Sequence, residues 1–199
     1  MKKAFIGALI GGIIIFIWQF LSWAVLDLHY PAQQYTDKQD AIMSTLSSQQ
    51  LPEGGYFLPR LPKDASSEQQ EQWSNEMQGK PWVSIQYHNS FDANMGLNMV
   101  RGYLVDVVVV LLLCWMLLRF EALNFTRVLT ASIFTGVTVY LNSHYTGHIW
   151  YQFFDTTAHL IDAVVSWGLC GVWLGWWLNR HKPKLSSIHV DERAKSMAD

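Results

Sequence analysis

Asp155, His159 and Asp162 follow one another at spacings of four and three residues, which places them on one face of a helix. Histidine exchanges protons near neutral pH, and imidazole and carboxylate together are the usual donors to divalent cations. His144 and His148 lie shortly before this stripe. Asp106 is a further acidic residue within an apolar run, with Arg101 five positions ahead of it. Two chemistries suit these residue types. One is proton or solute handling by Asp106, Asp162, His159 and Arg101, because ionisable residues inside a membrane span mark such paths. The other is a divalent-metal site built from His144, His148, Asp155 and His159. No HExxH or CxxC pattern fixes a metal here. A structural alternative is that the histidines are simply wet, and that Asp106–Arg101 or Asp162–His159 pairs only orient helices. Arg101 and Asp106 share a helix face poorly, so Arg101 is expected to reach another helix.

The elements that carry these residues are apolar. The chain has 199 residues, a formal net charge of −2, 15% charged and 14% aromatic residues. A soluble domain carries roughly 25% charged residues. Low charge with abundant aromatics excludes a disordered chain, and the lack of a basic surplus excludes a nucleic-acid binder. Two cysteines, Cys114 and Cys170, cannot make a disulfide scaffold and read as apolar-like thiols.

The apolar residues form four runs, 4–26, 99–120, 126–146 and 157–178. Each supplies about 20 helical residues, enough for a hydrocarbon core of ~30 Å. The third reaches spanning length only with its flanks. The runs lack the alternation of barrel strands. The expected fold is mainly α: a polytopic membrane four-helix bundle with a small α+β insert over 27–98, between helices 1 and 2. The first run follows Lys2 and Lys3, as in a signal peptide, but exceeds the ~7–15 residues of such a segment and reads as a retained anchor. Gly7/Gly11, Ser132/Gly136 and Gly171/Gly175 are small-xxx-small pairs that let helices approach closely. Packing within the bundle is their expected use, and homo-oligomerisation or a membrane-protein partner the other.

Lys2 and Lys3, Arg119 and Arg127, and Arg180, Lys182 and Lys184 would all fall on one face of a four-span protein. That face is expected to be cytoplasmic. The insert, with nine acidic and four basic residues, is then extracytoplasmic, both termini are cytoplasmic, and 179–199 is a cytoplasmic tail. Trp18, Trp23, Trp176 and Trp177 are expected to mark the span ends as interfacial aromatics.

The insert reads as helix, short strand, helix, longer strand. Thr36 to Gln39 and Ser66 to Gln69 both fit a capping box. Tyr56-Phe57-Leu58 suits a short strand, and Val83, Ile85 and Tyr87 alternate along the longer one. About seventy residues without a cysteine bury too little for much stability alone. Tyr56, Phe57, Trp73, Trp82 and Tyr87 would either build its own small core or dock on another surface.

Several segments are also familiar in order. Ile17-Trp18-Gln19-Phe20 closes the first span, and Gly79-Lys80-Pro81-Trp82 lies in the insert. The last span carries Leu160-Ile161-Asp162-Ala163 and Trp173-Leu174-Gly175-Trp176-Trp177. Together they resemble four-span bacterial inner-membrane proteins of a family with no assigned activity. The resemblance implies a layout in the inner membrane and no chemistry. The layout is also similar to claudin-type tetraspans, but the outer loop lacks the cysteine pair of that pattern.

The function expected first is an accessory or scaffold subunit of an envelope complex in the lipid bilayer. A small proton- or solute-handling protein is the alternative, and a membrane protein with a divalent metal at its outer mouth comes third. No cofactor is expected beyond that metal. No nucleophile–base pair, phosphate loop or dinucleotide fingerprint speaks for an enzyme. Convergence of Asp106, Asp162 and His159 around a cavity separates these readings.

Overall fold

The computed structural model describes residues 2–180; the expected tail lies outside the described residues from position 181 onward. In chain order the elements are α1 (Lys2–Phe20), α2 (Gln39–Ser48), β1 (Gly54–Leu58), α3 (Ser67–Met77), β2 (Val83–Tyr87), α4 (Met95–Leu117), α5 (Phe125–Tyr140), α6 (Thr146–Trp150) and α7 (Thr156–Asn179). They form two compact units, Gln34–Asn94 and the remainder of the chain.

The larger unit is helical. Three of its helical runs, Lys2–Val25, Met95–Leu117 and Thr156–Asn179, are long and apolar enough to cross a membrane. Their outward faces keep large apolar side chains exposed, among them Ile13, Ile17, Leu104, Leu112 and Val172. Such continuous apolar surface is suited to lipid and not to water. The third expected span is interrupted. Helix α5 has 16 residues, capped at its start by Asn124 Oδ1, which accepts from the Arg127 amide at 2.9 Å. It then passes through a π-helical turn, Leu141–Tyr145, into α6.

Helix α1 packs against α4 and α7, and α7 packs in turn against α5. The helices thus run in the spatial order α4–α1–α7–α5, and α4 and α5 share no comparable interface among the described residues. One end of this arc is dry. Ala4, Leu117, Leu123, Val128, Leu174 and Leu178 are buried there in a single cluster. Cys114 and Cys170 are also fully buried, and both are free thiols.

Glycine makes these interfaces close. A methyl on Gly12 would lie 2.9 Å from the Val107 backbone nitrogen, and one on Gly136 would press into the Trp167 ring at 2.5 Å. Gly7 and Gly11 face Leu174 and Val110, Gly171 faces Ser132, and Gly175 faces Phe125. The small-residue faces read from the sequence are therefore occupied within the chain. Gly12 belongs to the same seam, although it lies outside the GxxxG spacing.

Tryptophan locks the dry end. Trp177 Nε1 donates to Lys3 O at 2.7 Å, and Trp173 Nε1 donates to Gly7 O at 3.1 Å. Trp177 is buried, stacked on Trp173 and covered by the Arg180 guanidinium 3.5 Å above its ring. Of the tryptophan pair expected at the interface, only Trp176 faces outward.

In the smaller unit β1 and β2 pair antiparallel, from Gly54 opposite Tyr87 to Leu58 opposite Val83. Helix α3 starts with the expected capping box: Ser66 Oγ accepts from the Gln69 amide, and Gln69 Oε1 accepts from the Ser66 amide. Gly79, at φ 74°, follows its end. The expected box at Thr36 is not formed. Helix α2 starts at Gln39, and Thr36 Oγ1 accepts instead from the Lys38 amide at 3.3 Å. That local turn satisfies the hydroxyl before a helical turn can claim it. Phe57 and Trp82 rings lie 5.2 Å apart and line a shallow groove with Trp73 and Met77. No residue from Gln34 to Asn94 is fully buried.

Gly136→Ala should lower stability by about 1–3 kcal/mol through overpacking. Gly168→Ala should not, because no atom lies within 4 Å of its added methyl. Thermal unfolding of both variants in detergent micelles checks this, and equal effects would refute the close-packing account.

Candidate functional site: a histidine between two carboxylates

The site begins where α1 loses its regular geometry. Beyond Phe20 the helix opens into a π-helical turn, Leu21–Val25, in which the Leu26 amide donates to Leu21 O at 2.8 Å. Asp27 then adopts a positive φ of 52°, and the Leu28 amide donates back to Ser22 O at 3.0 Å. Aspartate tolerates this left-handed conformation better than most residues. The chain doubles back and buries His29, which is 2% exposed.

Each His29 ring nitrogen meets a carboxylate. Nδ1 is 2.9 Å from Asp155 Oδ2, and Nε2 is 2.9 Å from Asp162 Oδ2. His159 Nε2 lies 3.2 Å from the same Asp155 oxygen. Trp18 Nε1 donates to Asp162 Oδ1 at 2.9 Å. Rings complete the enclosure. Trp23 stacks on His29 at 3.8 Å, and His144 stacks on His159 at 3.5 Å. Trp23 and His144 each come from a π-helical turn, a geometry found frequently at functional sites.

The hydrogen-bond count constrains the protons. A neutral imidazole has one N–H, whereas two ionised carboxylates can only accept. Filling both 2.9 Å contacts requires either an imidazolium at His29 or a proton on one carboxylate. Burial raises the Asp155 carboxyl. The His29 hydrogen bond, the nearby His159 charge and its own backbone amide outweigh that and hold it below the usual carboxylate range.

Beside this network lies a cavity of about 460 Å³. Asp106, Asp162, His159 and His144 line it, with Trp23, Tyr140 and Trp167 as aromatic walls. Asp106 is 8% exposed; its Oδ1 accepts from Gln19 Nε2 at 3.2 Å, and its Oδ2 has no hydrogen-bond partner among the described residues. The convergence that the sequence left open is thus present for Asp106, Asp162 and His159. Arg101 is exposed and is not among the residues that line the cavity.

Of the four residues considered for a metal, His144, Asp155 and His159 join the cluster. His148 does not: its Nδ1 accepts from the Phe153 amide at 3.0 Å and lies 2.9 Å from Thr156 Oγ1, bracing the turn into α7. A different trio, His29, His159 and Asp162, offers donor atoms within 4.8 Å of one another. Both His29 nitrogens and both Asp162 oxygens already hold hydrogen-bond contacts. A divalent ion would have to displace some of them.

No family model, curated protein or solved structure matches this chain. His29 is the residue that sequence reasoning missed as a site member. Its only local signal is its position just beyond the first apolar run, followed by Tyr30-Pro31.

Asp155→Asn should destabilise the bundle by about 2 kcal/mol, since it removes a charged acceptor shared by two imidazoles. A depressed folded-state value means that this stabilisation is complete above the ordinary carboxylate range and is lost as pH falls through and below it. Thermal unfolding between about pH 3 and pH 7 should show acid loss in the native chain and a flatter profile in the variant. Identical profiles would refute the role given to Asp155.

Proposed function

We propose that the chain is a four-span inner-membrane protein whose buried histidine–carboxylate cluster takes up and releases protons, as part of small proton or solute handling. The observation that carries the reading is His29 with a carboxylate at each nitrogen, beside a cavity within the apolar bundle. Ionisable groups are costly in such surroundings, and they persist in spans chiefly where they serve ion or proton paths.

The groups facing one another come from every helix of the arc. His29 follows α1, Asp106 belongs to α4, and His144 extends α5. Asp155, His159 and Asp162 come from the start of α7. His29, Asp155, Asp162 and His159 are linked by contacts within hydrogen-bond reach, so these four act as one store with several proton positions. A proton leaving His29 either breaks a carboxylate contact or is replaced by one on Asp155 or Asp162. Each exchange is a short hop between atoms about 3 Å apart, within hydrogen-bond reach. Trp18 anchors Asp162 throughout by its second oxygen.

The remaining span, third in chain order, would be the run from Phe125 through the π-helical turn to Trp150. Its support is packing: α5 lies along α7 as closely as α1 does along α4. Lys3, Arg119, Arg127 and Arg180 gather at the dry end, which the positive-inside bias makes cytoplasmic. Residues 27–98 then lie outside.

Two measurements test this proposal. Purified protein in vesicles with a trapped pH dye should dissipate an imposed pH gradient faster than empty vesicles. His29→Asn and Asp162→Asn should each slow that by about tenfold or more. Native vesicles no leakier than empty ones would return the chain to a scaffold role. For topology, Ser84→Cys should react with an impermeant maleimide on intact cells, and Glu121→Cys only after lysis. The reverse pattern would overturn the orientation.

A further inference from the structure

One carboxylate that lines the cavity stands outside the proton store and keeps an oxygen unpartnered among the described residues. Asp162 has both oxygens committed, one to Trp18 and one to His29. Asp106 has only Oδ1 engaged, by Gln19. Its Oδ2 is buried without a partner among the described residues, in a side chain that lines the cavity. A buried acceptor left unmade costs far more than an average hydrogen bond contributes, and more still when it carries charge.

The rest of the lining narrows what could supply the donor. About 460 Å³ is a small-ligand volume, within the usual range for such pockets. Among the described residues no Lys or Arg lines it, while two carboxylates do. Trp23, Tyr140 and Trp167 present aromatic surface, and Ile15, Val109 and Val139 present aliphatic surface. Aromatic faces attract cations, and more strongly when water is excluded.

We propose that this cavity binds a small amphipathic amine in its ammonium form, with an N–H donating to Asp106 Oδ2 and the apolar part against the aromatic wall. The N–H matters, because Oδ2 lacks a donor and not merely a counter-charge. A quaternary ammonium of the same shape would be held less well. An anion would meet two carboxylates, and a neutral apolar molecule would leave Oδ2 unfilled. This inference rests on Asp106 and the cavity rather than on proton exchange at His29, so the two stand or fall separately.

The test is equilibrium dialysis of radiolabelled 2-phenylethylammonium against the full chain in detergent micelles at neutral pH. Saturable, one-to-one binding is expected. It should weaken by about tenfold or more in Asp106→Asn, the scale of one charge-assisted hydrogen bond. It should also be lost in Val109→Phe, which fills the cavity, and be unchanged in Arg101→Ala. Excess 2-phenylethanol should not compete. No saturable binding by the native chain would overturn the site. Binding to Asp106→Asn as tight as native would overturn the ammonium class. Undiminished binding to a folded Val109→Phe would overturn the cavity as its location. His29→Asn should retain binding even where it abolishes proton flux, which keeps failure of the two proposals distinguishable.

Discussion

His29 sits where no bulk water can compensate it, with an acidic oxygen 2.9 Å from each ring nitrogen. Removing either carboxylate would leave a buried polar ring half-satisfied, and removing the ring would leave two acidic groups facing each other across a gap. Much of the polar half of the bundle follows from that requirement. The chain after α1 must turn back sharply, Asp155 must sit at the cap of α7, Trp18 must bring its N–H to Asp162, and Trp23, still 41% exposed, must lie over the His29 ring. The opposite half has no such requirement and packs as a dry core of Leu, Val, Cys and Trp.

These halves are joined through α1, which has neighbours on both sides. Its glycine seam brings the α4 backbone close at Gly12 and the α7 side chains close at Gly7 and Gly11. Close approach in an apolar surround increases dispersion contact where no hydrophobic driving force exists between helices and lipid. It also lets indole N–H groups of α7 reach carbonyls of α1. Rigid placement of α1 fixes the launching point of the turn that carries His29.

Much of this was legible in the residues. Three of the four apolar runs declared themselves by length, and the 155–159–162 stripe by helical spacing. Ser66–Gln69 declared a helix start by its reciprocal cap. Thr36–Gln39 has the same pattern but does not form the cap, because a hydroxyl can close on the amide two residues along before a helix is committed. His29 was illegible for a different reason. Its position depends on a left-handed Asp27 and on a π-helical turn, and neither leaves a periodic trace. His148 shows the converse: its spacing fits a metal set, while its ring nitrogen is taken by a local turn. The smaller unit fulfilled its element order, yet with no residue fully buried between Gln34 and Asn94 its cohesion rests on surface-level contacts.

The two π-helical turns also bear on how such a site can change. One residue added within a helix rotates everything beyond it by about 100° about the axis. Leu21–Val25 and Leu141–Tyr145 thus act as angular offsets inserted between a packed lower half and a polar upper half. Side chains above each offset can be re-aimed by gaining or losing a single residue, while the Gly7, Gly11 and Ser132 contacts below it keep their register. Chain length at two points, and not only side-chain identity, sets which rings face the cavity. Variation among chains built this way would therefore enter by insertion and deletion at the offsets as readily as by substitution.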